Sequence, residues 1–218
     1  HVTVNGCGAG SQFRVDGDCE LTFSITATGG NPDATVQSVE VYAGGKVVID
    51  SALSVTGSFT NSGDVTVNAA GTKFASFTNN AGASLTLNAA LNAESKVENM
   101  NTGTVQVGEA GVLNVETDLG GTLNVLENGQ AVINVGALTA NVENAGTVTA
   151  GTGTLTFNGA VAGNGGTFSG NTLIFSGVTS GTATVNAETA EYNMASEVVF
   201  GGTYGKLTLD GGIKTVTG

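Results

Sequence analysis

Very few residues of this chain have types and spacings suited to catalysis. The sequence has 218 residues, with one histidine, His1, two cysteines, Cys7 and Cys19, and no tryptophan. A serine or cysteine nucleophile needs a base that a third group holds in place, and histidine is the usual base. The chain has no Gly-x-Ser-x-Gly sequence, and its one histidine is the first residue. We therefore expect that the protein is not an enzyme.

Paired carboxylates are the main alternative to this expectation. Glycoside hydrolysis needs two of them across one cleft, and Glu94 with Glu98 and Glu116 with Asp118 are close in sequence. Carbohydrate clefts usually also present aromatic rings, whereas this chain has no Trp and three Tyr. A solenoid protein that binds polysaccharides is an alternative interpretation, which the paired carboxylates favour and the shortage of aromatic residues disfavours.

Calcium is the one metal that the sequence suggests, and the signal is weak. Asp16-x-Asp18-x-Glu20 has the alternation of a calcium loop but lacks the other ligands and the glycine of an EF-hand. Polysaccharide lyases built as solenoids, in which the chain winds into stacked coils, hold calcium through carboxylates and use Arg or Lys as the base. If this chain forms such coils, their stacking could bring Lys73 and Lys96 together. A lyase-like protein is therefore a further alternative, and we expect no other cofactor.

The two cysteines do not form a metal-binding pattern. Cys7 and Cys19 lie 12 positions apart, outside any Cys-x-x-Cys sequence, and His1 is the only histidine. An intramolecular disulfide is the simplest interpretation. Since disulfides persist outside the reducing cytoplasm, it indicates an extracellular protein.

Net charge restricts the class of partner. Six Lys and Arg against 18 Asp and Glu give a formal net charge of −12. Such a field repels nucleic-acid phosphates and anionic lipids, so we expect neither as a partner. No stretch of the sequence is long and apolar enough to span a bilayer.

One short phrase recurs and predicts the fold. It consists of an apolar residue, a spacer, Asn, small residues, Gly and an alternating strand, and it occupies 59–67, 77–87, 97–107 and 142–148. Its glycines Gly63, Gly82 and Gly103 are 19 and 21 residues apart. A unit of this length cannot bury its apolar face alone, so neighbouring units must stack. The chain is therefore predicted to be all-β, and specifically a β-solenoid.

Alternation within the strands assigns the two faces of each turn. The residues predicted to point into the core are Val65, Val67, Leu85, Leu87, Val105, Val107, Leu123, Val125, Val148, Phe175 and Val185. Asn61, Asn79, Asn99 and Asn144 are predicted to occupy equivalent corners, where stacked side-chain amides satisfy turn carbonyls. Contact with sugars is the alternative role for these asparagines.

The N-terminal segment differs from the rest. Residues 1–45 do not follow the phrase, and they contain both cysteines, the only arginine and the only proline. Terminal repeats of solenoids are usually atypical because they close the stack. We expect an N-terminal cap or small β-subdomain with the disulfide over 1–45, and a solenoid of roughly nine coils over 46–218.

Outward threonines suggest one further class of function. Flat rows of Thr on a β-solenoid can order water, and Thr-x-Thr occurs at 147–149 and 152–154. In the sequence these pairs do not recur at one fixed position in successive coils. Ice binding is therefore an alternative.

The repeat phrase over 59–148 resembles the coils of filamentous-haemagglutinin-type and autotransporter-type bacterial surface adhesins. That resemblance implies a right-handed parallel β-helix, a secreted or cell-surface structural protein, and host or surface glycans as further partners. The segment 204–218 is similar to one that is common in the repeat arrays of very large bacterial adhesins. In those arrays it is typically followed by a strand of the form Val-Thr-Val-Asn-Gly.

The two termini fit such an array end to end. The chain begins with Val2, Thr3, Val4 and Asn5 after His1, and it ends in an alternating segment with Ile213, Thr215 and Val216. An open solenoid end is a liability that charges or a helix normally cover. We expect residues 1–6 of one copy to pair with the C-terminal coils of the next by strand addition. This predicts a subunit of an extracellular bacterial filament or adhesin stalk whose partners are copies of itself.

The disulfide is directly testable. A Cys7–Cys19 bond would close a loop of about 13 residues and add about 3 kcal/mol to the free energy of unfolding. Mass spectrometry of the oxidised protein under denaturing conditions should find no thiol that reacts with an alkylating reagent. Two alkylated cysteines would contradict the prediction.

Overall fold

A computed structural model of the chain describes residues 2–4, 7–24, 34–193, 195 and 197–217, and all the regular elements in these ranges are strands. The strands are β1 (Val2–Val4), β2 (Gln12–Val15), β3 (Glu20–Phe23), β4 (Ala34–Val36), β5 (Ser38–Val41), β6 (Lys46–Ile49), β7 (Leu53–Asn61), β8 (Asp64–Val67), β9 (Lys73–Asn79), β10 (Ser84–Leu87), β11 (Val97–Asn99), β12 (Thr104–Val107), β13 (Val112–Val115), β14 (Thr122–Val125), β15 (Gln130–Ile133), β16 (Ala137–Leu138), β17 (Asn141–Asn144), β18 (Thr147–Ala150), β19 (Thr154–Phe157), β20 (Val161–Phe175), β21 (Thr179–Tyr192), β22 (Val198–Leu209) and β23 (Thr215–Thr217).

The strands pair in parallel, turn upon turn, as the repeat phrase predicts. What we term the first column runs through β1, β3, β6, β8, β10, β12, β14, β17 and the beginnings of β20 and β21. The column continues to the beginning of β22, because the Thr179 hydroxyl of β21 donates to Val198 O and accepts from Val198 N. The last strand of the column, β23, pairs with the beginning of β22. The prediction of an all-β solenoid is confirmed, with about 11 turns.

Other columns complete each turn. In the N-terminal half, β2, β5, β7, β9 and β11 pair in succession. In the C-terminal half, β13, β15 and β18 pair in succession, and β18 pairs with the middle of β20. β16 pairs with β19, and β19 pairs with the end of β20. The long strands β20, β21 and β22 bend through the corners and so contribute to more than one column.

The core lies along the axis and follows the predicted alternation. All eleven residues assigned to the inside are buried, with relative exposures of 0–1%. Aromatic side chains fill the wider parts: Phe59, Phe74 and Phe77 form one cluster. A second cluster contains Phe157, Phe168, Phe175, Tyr192 and Phe200.

The described part of residues 1–45 is built into the same stack. β3 pairs in register with β6, from Glu20 opposite Lys46 to Phe23 opposite Ile49, and β2 pairs with β5. The parallel pairing therefore continues across the predicted boundary at residue 45. Of the residues that set this segment apart, Cys7 and Cys19 lie between strands, Arg14 lies in β2, and Pro32 lies outside the described residues.

Glycine is required where successive turns approach closely. At Gly121, φ is +63°, and an added Cβ would lie 2.2 Å from the carbonyl oxygen of Gly103 one turn earlier. Any side chain there would separate the turns, and positive φ disfavours L-residues. Glycine is thus a packing requirement of the stack at Gly121, whereas at Gly82 an added Cβ would meet no atom within 4 Å.

The alternation can be tested within one strand. Val107 is fully buried between Leu87 and Val125, whereas its neighbour Gln106 is partly exposed. Val107→Asp would bury an unpaired carboxylate and should lower the free energy of unfolding by several kcal/mol. Gln106→Asp should change it by less than about 1 kcal/mol. Thermal unfolding followed by circular dichroism compares the two, and equal melting temperatures would contradict the assignment of faces.

Candidate functional site

The carboxylates Glu94 and Glu98 lie on the surface of the stack. Glu94 pairs with Lys73 of the preceding turn, and both carboxylates are exposed. The hydrogen bond and charge of Lys73 hold the pKa of Glu94 below its usual range. Lys73 thus has a carboxylate partner rather than Lys96, and the ion pair links neighbouring turns.

Glu116 and Asp118 also make contacts between turns. Asn134 donates from Nδ2 to Glu116 Oε1 at 2.5 Å. Thr139 donates from its backbone N to Asp118 Oδ1 at 2.7 Å and from Oγ1 to Oδ2 at 3.0 Å. These carboxylates are exposed and already accept hydrogen bonds from the next turn.

The Asp16-x-Asp18-x-Glu20 segment lies at the N-terminal end of the stack. Asp16 forms an ion pair with Arg14, with 3.4 Å between Nε and Oδ1, and Arg14 lies over the ring of Tyr42. No three His, Cys, Asp or Glu side chains of the described ranges converge on a common point. The calcium alternative stays a prediction.

Cys7 and Cys19 are free thiols in this structure. Cys7 is half-buried against the core, and this burial raises the pKa of its thiol, while Cys19 is exposed. Their disulfide stays a prediction.

Three of the four corner asparagines form a buried ladder. Asn61 Nδ2 donates to Asn79 Oδ1 at 2.8 Å, and Asn79 Nδ2 donates to Asn99 Oδ1 at the same distance. Each amide also bonds to nearby carbonyls, such as Ser84 O for Asn61 and Gly120 O for Asn99. The side chains are at most 5% exposed, so they stabilise the corner and are not available for contact with sugars.

Asn144 occupies a different corner, which corrects the prediction. It ends β17 of the first column, whereas the ladder asparagines precede first-column strands. Its local hydrogen bond is the same: Gly146 N donates to Asn144 Oδ1 at 3.1 Å, as Gly63 N donates to Asn61 Oδ1 at 3.0 Å. The phrase thus specifies a type of turn, and any sharp corner of the coil can use it.

Threonines stack in short outward rows, although their spacing in the sequence is irregular. Pairing places Thr147, Thr167 and Thr184 in one row. A second row contains Thr154, Thr172 and Thr189. Each row is three turns long, and adjacent outward positions include Asn186, Ile174 and Glu191, so the rows do not form a wide uniform threonine face.

The N-terminal end of the stack exposes apolar residues that face inward. β1 pairs with β3 of its own chain through one edge, with Val2 opposite Leu21 and Val4 opposite Phe23. Val2 is 60% exposed, and Phe13 of β2 is partly exposed at the same end. Thr3 lies between Val2 and Val4 in β1. The predicted assembly residue Asn5 lies outside the described residues.

The C-terminal end of the stack likewise exposes apolar residues that face inward. Val216 of β23 lies opposite the buried Val199 but is 66% exposed, and Thr215 is beside it. Leu207 and Leu209 continue the buried positions Ala190 and Tyr192, yet they are 40% and 46% exposed.

Within the described residues, both ends of the stack therefore carry core positions with no further turn beside them. The sequence pointed to the terminal strands but not to Phe13, Leu207 or Leu209. Alternation in 12–15 and 206–209 was visible, but only the pairing shows that these strands are the last of their columns. The candidate functional site is this pair of open ends.

The buried ladder provides a test with a matched control. Asn79→Ala removes the donor to Asn99 Oδ1, Ala83 O and Thr104 O and the acceptor for Asn61. We expect a loss of about 3 kcal/mol in the free energy of unfolding because buried polar groups lose their partners. Asn88→Ala breaks an exposed Asn–Asn bond to Asn68 and should cost less than about 1 kcal/mol. Urea denaturation compares the variants, and equal losses would show that the ladder is not the stabilising element.

The described residues include no helix long and apolar enough to cross a membrane. The chain matches no protein-family model, no curated protein and no solved structure. The resemblance to filamentous-haemagglutinin-type and autotransporter-type adhesins therefore rests on the repeat phrase, and its coarser implication, a parallel β-solenoid, is what the structure contains.

Proposed function

We propose that this chain is a structural subunit of an extracellular bacterial filament or adhesin stalk, and that copies assemble head to tail through their terminal strands. One observation carries the proposal. Both ends of the stack present edge strands whose inward-facing apolar side chains, Val2 at one end and Val216 at the other, lie exposed.

The direction of the strands suits head-to-tail addition. β1 and β23 are the first and last strands of the first column, and both pair in parallel with their neighbours. Placing the N-terminal end of one copy on the C-terminal end of another preserves that direction. β1 would keep its bonds to its own β3 and use its other edge for β23 of the next copy, which is strand addition at an open sheet edge.

The burial gained at this junction is of the kind that stabilises the rest of the solenoid. Val216, Leu207 and Leu209 already occupy inward positions, so a further turn would cover them without rearrangement. Complete burial of such a side chain is worth about 1.5–3 kcal/mol, and each of the three would gain roughly half of that because it is already partly buried. The function of such an assembly is mechanical, because main-chain hydrogen bonds would run continuously along its axis.

Two substitutions in one strand test the assembly. Val216→Asp places a carboxylate in the junction and should abolish filaments, while Thr215→Asp on the outward face of β23 should leave them. Deleting residues 1–6 should likewise give a folded protein that stays monomeric. Electron microscopy and analytical ultracentrifugation measure the outcome. Filaments that form equally well from Val216→Asp, or a wild-type protein that never forms them, would refute the proposal.

A further inference from the structure

Ile213 is an apolar side chain presented almost entirely to solvent. It is 93% exposed, more than the other exposed large apolar residues of the described ranges. It lies in the turn between β22 and β23, directly after Gly211 and Gly212, whose φ angles are +60° and +65°. Glycine adopts this left-handed region without the steric cost that other residues have, and the turn uses it at both positions.

The opposite end of the molecule contains a cavity with an apolar wall. Its volume is about 290 Å³, and the apolar residues that line it are Val2, Val4, Phe13, Val15 and Leu21. This space can accept the four-carbon side chain of an isoleucine.

The turn and the cavity occupy corresponding corners of the coil. Residues 210–214 immediately precede β23, and residues 16–19, which contribute Asp16 and Cys19 to the cavity, immediately precede β3. β3 and β23 both belong to the first column. In the proposed stack β1 lies between β23 of one copy and β3 of the next, so the turn of one copy faces the cavity of the other across the thickness of one turn.

The net charge differs in sign between the two places. Asp16, Glu20 and Arg14 line the cavity, and Asp16 pairs with Arg14, so the lining has one more negative than positive side chain. Lys214 follows Ile213 directly, and its Nζ donates to Asn193 O of its own chain. In a protein of net charge −12, most surfaces of two copies repel each other, and a positive charge beside the apolar side chain reduces that repulsion at this contact.

We propose that Ile213 of one copy inserts into the N-terminal cavity of the next and is the hydrophobic anchor of the junction. This inference rests on the proposed head-to-tail assembly and names the contact that holds it. Because the two surfaces differ and lie at opposite ends, the contact is heterologous. It leaves a free Ile213 and a free cavity at the ends of every oligomer, so growth does not close.

The critical concentration for assembly tests the anchor. Ile213→Ala removes three carbon atoms from the contact and should raise the critical concentration about 50-fold. The control is Val178→Ala, which shortens an aliphatic side chain that is 52% exposed on the turn between β20 and β21. It should leave the critical concentration unchanged. Equal critical concentrations for Ile213→Ala and wild type would overturn the inference.

A double substitution identifies the cavity as the place where Ile213 binds. Val2→Trp should fill the cavity and weaken assembly on its own, but it should add little in an Ile213→Ala background because the anchor is already lost. Fully additive losses would overturn the inference. Circular dichroism checks that each variant melts as the wild type does.

The two proposals fail in distinguishable ways. If wild-type filaments form and Val216→Asp abolishes them while Ile213→Ala does not weaken them, the anchor is wrong and the filament subunit stands. If the wild-type protein forms no filaments, both proposals are wrong.

Discussion

The main-chain hydrogen bonds between successive turns are the interaction on which the rest of this structure depends. In a parallel β-solenoid a strand can pair only with the turns before and after it, so no turn satisfies its own backbone groups. Val105, for example, lies between Leu85 and Leu123 of the adjoining turns. Stability therefore grows along the stack, and the cost of unpaired groups is confined to its two ends.

The same constraint explains which polar residues the interior accepts. A buried amide must find partners within the stack, and a ladder from Asn61 through Asn79 to Asn99 provides them at one corner. Every buried side-chain nitrogen or oxygen of the described residues has a hydrogen-bond partner. Carboxylates are placed outside, where Glu94 and Asp118 join one turn to the next. The residues that first suggested chemistry are thus used to connect coils.

At the two ends of the described stack, inward-facing residues have no neighbouring turn beside them. Leu207 and Leu209 have the inward orientation of core residues but no turn above them, and Val2 is in the same position at the other end. Two unlike open ends on one molecule favour open-ended association rather than a closed dimer. This is the physical basis on which a filament subunit is proposed here, together with an anchor at Ile213.

Much of the architecture follows from local pattern. Alternation of apolar and polar residues identified the buried side of every strand tested, including Val107 and Val185, because the direction of a side chain within a strand depends only on parity. The Asn-x-Gly turn was also readable, since its hydrogen bond spans two residues, as from Gly63 N to Asn61 Oδ1.

Which turns lie above one another is not a local property. Coils differ in length because corners absorb insertions, so equal phrases can fall at different corners, as Asn144 shows. For the same reason Thr147, Thr167 and Thr184 form a row that the sequence spacing conceals. The cavity near Phe13 and the exposure of Leu207 depend on where each column ends. These features follow from the register between distant segments, which the pattern within a single strand does not contain.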